Sequence, residues 1–159
     1  MSLTLALALL AQITPMQPMP KGTGLPPPAS EEGQVMAPVN AVFAAIAASD
    51  GERLRPVVHA DGNLTVATEA ADGTRKIVHR SMNEFITGLK PGGPRLEERL
   101  YNPAIEIDGD VAFVWGRYTF YIDGKLHHCG FDLFDLVRED GAWKIANITH
   151  SSRTTGCEA

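Results

Sequence analysis

The sequence predicts an α+β domain, with helices at the start and a long antiparallel sheet after them. Three observations carry this. Asp108-Gly109, Asp123-Gly124 and Asp140-Gly141 punctuate the second half of the chain. Each pair sits between runs of alternating apolar and polar residues, and Asp-Gly suits the two-residue turn whose twist matches paired strands. Upstream, Val35, Val39, Val42, Phe43 and Ile46 recur at three- and four-residue steps, the spacing of one helix face.

Taken in order, the first helix starts at Glu31 and is ended by Ser49-Asp50-Gly51. A short second helix is expected at residues 52–54, stopping before Pro56 because the residue preceding proline disfavours helical geometry. After His59-Ala60-Asp61-Gly62, two short strands at 64–68 and 76–79 are joined through Asp72-Gly73. Ser81 with Glu84 forms a capping box that opens a third helix through Met82, Phe85, Ile86 and Leu89, closed by Pro91-Gly92-Gly93-Pro94. The meander follows at 96–107, 110–122, 125–138 and 142–151. Helices followed by such a sheet must cover one of its faces.

Counting outward from each Asp-Gly turn sorts the strands into two faces. One expected face places Tyr101, Gly116, Phe131 and His150 in a row, with Arg99, Tyr118, Cys129 and Ser152 in the next. The other carries Phe113, Trp115, Arg117, Asp132, Phe134, Trp143 and Ile145, with Glu98 and Leu100 toward its edge. That is more apolar area than a monomer leaves in water, so a second copy of the chain is expected to cover it.

Composition bounds the function. The chain has 159 residues, a formal net charge of -5 and a pI near 5.5. No basic stripe is present, which argues against a nucleic-acid surface. The uncharged apolar run at residues 3–11 is too short to span a bilayer and reads as a signal peptide over residues 1–11, so secretion or a periplasmic location is expected. If residues 1–11 are not a signal, the protein is cytoplasmic. Residues 12–30 read as a Pro-rich linker and residues 31–159 as the folded domain. Cys129 and Cys157 allow one disulfide or none; export favours the bridge.

The stretch from Tyr118 through His127-His128-Cys129-Gly130 to Asp132, then Phe134, Leu136, Trp143-Lys144-Ile145 and the closing Gly156-Cys157, resembles the lumazine-binding-like branch of the nuclear transport factor 2-like superfamily. The resemblance runs essentially from Glu31 to Cys157. It implies a cystatin-like cone, with the N-terminal helices on the concave face of a curved sheet, a pocket between them, and a homodimer through the convex face. Related proteins include ketosteroid isomerase, scytalone dehydratase and polyketide cyclases, and many members with no known chemistry. Fold alone assigns no reaction.

On this cone His150, Tyr101, Tyr118, Arg99 and Phe131 are expected to line the pocket, with His59 as a further ligand-binding candidate. His150 suits general acid–base work because imidazole titrates near neutrality, and Tyr118 and Tyr101 could donate hydrogen bonds to a carbonyl. The bland reading is a Tyr-His network closing the end of a core. His59-Ala60-Asp61-Gly62 reads either as a proton-abstracting pair or as a solvated turn. Asp132 would be an acid with a raised pKa if its face were the pocket, but counting places it on the other. Neither metal nor cofactor is expected, since His127 and His128 should point to opposite faces. Three function classes follow: an extracytoplasmic binder of a small apolar or aromatic molecule; a cofactor-independent isomerase, dehydratase or cyclase using His150 and Tyr118; and a non-catalytic protein-interaction module.

Overall fold

The computed structural model describes residues 29–157. The expected signal peptide and nearly all of the linker lie outside the described residues. Ser30 caps the first helix, α1 (Glu31–Ala48), its hydroxyl accepting the Gly33 N–H at 3.0 Å, and Glu31 and Glu32 place negative charge in the first turn, where the helix dipole favours it. The helix stops at Ser49, which adopts the left-handed region at φ 48°. A single 3₁₀ turn (Gly51–Leu54) leads into β1 (Val58–Glu69) and β2 (Arg75–Ser81). The capping box of Ser81 and Glu84 then opens α2 (Met82–Gly88). The meander is β3 (Leu96–Asp108), β4 (Val111–Ile122), β5 (Lys125–Glu139) and β6 (Ala142–Arg153).

These strands form one six-stranded sheet in the order β2-β1-β6-β5-β4-β3, antiparallel except where β1 lies parallel to β6. The helices cover one face. Val35, Val39 and Val42 of α1 are buried together with Val114, Phe134, Leu136 and Ile145 of the sheet. Phe43 meets Phe134 edge-on at 5.9 Å between ring centroids. Each such aliphatic or aromatic burial is worth about 1.5–3 kcal/mol. Among the described residues no helix is long and apolar enough to cross a membrane.

Three details depart from the sequence reading, and they matter for the site. Asp123-Gly124 and Asp140-Gly141 do occupy their turns with the positive φ that such turns require. In the first hairpin, however, Asp108 pairs with Val111, so the turn residues are Gly109 and Asp110. Each hairpin also carries an irregularity: between Tyr101 and Ala104, between Phe120 and Tyr121 opposite Leu126 and His128, and between Asp135 and Leu136 opposite Ile145 and Asn147. One extra residue reverses the inward–outward alternation beyond it. Finally, His59-Ala60-Asp61-Gly62 is not a loop but part of β1, which shifts register between Val58 and Asn63.

Cys129 and Cys157 are joined by a disulfide that ties the segment after β6 back onto β5.

Candidate functional site

A cavity of about 360 Å³ opens between the helices and the covered face of the sheet. That is within the roughly 300–1,000 Å³ typical of small-molecule sites. Its walls are mostly apolar, with Val42, Phe43 and Ile46 from α1, Leu64 and Val66 from β1, and Phe134 and Ile148 from the sheet. At one end this lining gives way to Glu98, Tyr118, His128, Asp132, His150 and Ser152.

The bulges put these groups there. Gly116 pairs with Asp132 and Asp132 with His150, a row in which counting from the turns had placed Phe131. In the next row Tyr118 pairs with Gly130 and Leu100, in place of Cys129 and Arg99. Gly130 is required because a Cβ there would run into the Ser151 carbonyl.

Asp132 is only 2% exposed, and its Oδ2 has no hydrogen-bond partner. Its neighbour is Glu98, and the two carboxyls share a hydrogen bond. Burial raises the pKa of both, and the neighbouring Glu98 charge raises that of Asp132 further. The pair therefore holds a proton at pH values where free carboxyls have lost theirs.

Tyr118 is fully buried. Its hydroxyl donates to the Ser151 carbonyl at 2.9 Å and lies 3.1 Å from Nδ1 of His150. A phenol has one proton, so His150 must donate from Nδ1, which leaves Nε2 as the basic nitrogen. Desolvation lowers the pKa of His150 to about 4, and the imidazole is neutral at pH 7. Tyr118 is pushed well above its usual range by burial and by the charges of Asp132 and Glu98. It thus positions His150 and has no proton left for a ligand carbonyl. His128 stacks on Phe120 at 4.7 Å, and burial lowers its pKa to about 4. The bulge also brings His127 and His128 together, with Nδ1 atoms 2.9 Å apart, against the expectation of opposite faces.

Of the residues expected to bind ligand, Tyr118 and His150 line the cavity and four do not. Tyr101 lies on the open face under the Arg117 guanidinium, 4.6 Å from its ring, and its hydroxyl bonds Thr119 at 2.9 Å. Arg99 sits over Tyr121 and bonds Glu97 at 2.6 Å. Phe131 stacks on Trp115 at 5.1 Å. His59 contacts Glu139 at 3.3 Å, away from the cavity. Glu98 was the residue that sequence reasoning passed over. A signal for it existed, because Leu96, Glu98 and Leu100 alternate and set a carboxylate in an apolar stripe.

The model of the family described as "Putative lumazine-binding" matches residues 30–151. No curated protein matches the chain. Among solved structures, the chain is similar to a function unknown protein from Mycobacterium tuberculosis, with 20% identity and a TM-score of 0.61 over 77% of this chain and 71% of that one. A protein of unknown function with a cystatin-like fold from Nostoc punctiforme aligns at 14% identity and a TM-score of 0.60, covering 79% of this chain and 92% of that one. A nuclear transport factor 2-like superfamily protein from Salmonella enterica aligns at 14% identity and 0.59, with the same coverages. At these identities the structures speak for the fold alone, and the family model shows the family: the chain belongs to the family described as "Putative lumazine-binding".

Proposed function

We propose that this protein binds a small, largely apolar organic molecule in the cavity between α1, α2 and the sheet. The observation that carries this reading is Asp132, a buried carboxyl on the cavity wall with an unpartnered oxygen. Folding alone gives no return for burying such a group, whereas a ligand would complete its hydrogen bonding. The family description, which names lumazine, supports a planar ring compound of this size. The test is isothermal titration with 2-naphthol and with lumazine. Binding of at least one in the micromolar range is expected, with a tenfold or greater loss in Val66→Trp, which fills the cavity from β1. Equal affinity in the filled variant would contradict the reading.

A second reading is favoured by the neutral His150 paired across the strands with Asp132, whose carboxyl shares a proton with Glu98. In that case the protein moves a proton on its ligand. Exchange of the α-hydrogens of 2-tetralone into D2O, accelerated by the wild type and not by His150→Phe, tests it. An absence of exchange leaves the binding reading standing.

The location outside the cytoplasm and the homodimer belong to the same proposal. The disulfide supports an oxidising compartment. Trp115, 44% exposed and stacked on Phe131, supports pairing through the open face. Native mass spectrometry of the exported protein reads both cleavage and dimer.

A further inference from the structure

We propose that the polar end of the cavity selects a ligand head group that donates hydrogen bonds and carries no negative charge, a primary ammonium being the head that satisfies it fully, because the side chains converging there offer acceptors and keep their own protons engaged. This rests on the cavity being a binding site and adds which chemistry it takes.

The hydrogen bonds decide the matter one by one. Tyr118 gives its proton to the Ser151 carbonyl. Its oxygen receives the Nδ1 proton of His150 and the hydroxyl of Ser152. Thr68, also on the wall, donates to the Lys76 carbonyl at 3.1 Å. The proton that the carboxyl pair holds is engaged between Asp132 and Glu98. What the wall offers at this end is then the carboxyl pair of Asp132 and Glu98 and the imidazole of His150, acceptors on β5, β3 and β6.

The other ionisable groups on the wall do not reverse this polarity. Nδ1 of His128 is engaged by His127, and its ring is stacked on Phe120, which leaves one nitrogen. Arg80, on β2, is exposed and is the cation of the wall among the described residues. A ketone or ester head would meet acceptors and leave Oδ2 unpaired. A carboxylate head would add charge to a carboxyl pair that already shares one proton in a medium of low dielectric. An ammonium group brings three donors and a positive charge to the same place, and the apolar walls accept its hydrocarbon body.

The test uses one ring with four heads: 2-naphthylmethylamine, 2-naphthol, 2-acetylnaphthalene and 2-naphthoate, titrated calorimetrically at pH 7.5 into the full-length protein. The wild type should bind the amine at least tenfold more tightly than the ketone, with the naphthol between them and the naphthoate weakest. The double variant Asp132→Asn, Glu98→Gln should bring amine and ketone within threefold of each other while still binding the ketone, which shows that the cavity remains formed. Ketone binding equal to or tighter than amine binding in the wild type would overturn the head-group selection and leave the pocket reading intact. No binding of any of the four would overturn both. An unchanged amine preference in the double variant would also overturn the assignment, since the selectivity would then arise elsewhere.

Discussion

Asp132 and Glu98 share a proton inside an apolar wall, and that arrangement should be measurable as a pH dependence of stability. Both pKa values are raised by burial, so in the pH range above an ordinary carboxylate pKa the folded state retains protons that the unfolded chain has released. The stabilising contribution is complete below about pH 4 and is lost as pH rises through the folded pKa values. His150 and His128 act in the opposite direction: with pKa values lowered to about 4, they take stability away as pH falls from the free imidazole value toward 4. Tyr118, pushed well above its usual range by burial, stays protonated across this range. Asp132→Asn removes one member of the pair. Its stability relative to wild type should therefore increase from pH 5 to pH 8. Urea denaturation at both pH values checks this, and a pH-independent difference would mean that the pair does not hold a shared proton. The same variant should bind ligand less well, the usual exchange of stability for function at a site.

At the scale of elements, the bulges turn a plain meander into a site. Asn102 adopts φ 44°, just before Pro103, and the register shift between Tyr101 and Ala104 spans both. A β-branched residue does not tolerate this region, so Asn102→Val should destabilise by about 1–2 kcal/mol, while Asn102→Gly should stay close to wild type, as chemical denaturation would show. The helices, the capping box at Ser81, the four meander strands and two of the three Asp-Gly turns were legible because each depends on local spacing and turn chemistry. Side-chain direction was not, because it depends on counting across each hairpin, and a single extra residue reverses it. This is why Tyr101, Arg99 and Phe131 fall on the open face and Asp132 faces the cavity. Asn102-Pro103 inside a strand was a readable sign of irregularity, since proline in a sheet is confined to edges and bulges. The bulges near His127 and Ala146 have no comparable sequence mark. Counting keeps Tyr118 and His150 on one face, as the structure does, because two errors of one residue cancel between β4 and β6.

For the whole molecule, two kinds of closure hold the cavity in place. The first is the core of α1 against β4, β5 and β6, which fixes the roof. The second is the Cys129–Cys157 disulfide, spanning 28 positions, which anchors the end of the chain to β5 one residue from His128. A loop of that length restricts the unfolded chain by about 3–4 kcal/mol. Reduction, or Cys129→Ser with Cys157→Ser, should lower the stability by roughly this amount while the fold persists, since the core does not depend on the bridge. Methyl NMR tests most directly whether the cavity is the place where a small molecule sits. With 2-naphthylmethylamine in excess, the methyl signals of Ile46, Leu64, Val66 and Ile148, which line the cavity, should shift together, while those of Ile77 and Val111, exposed on the outside, should stay in place. Shifts confined to Ile77 and Val111, or none at all, would contradict it.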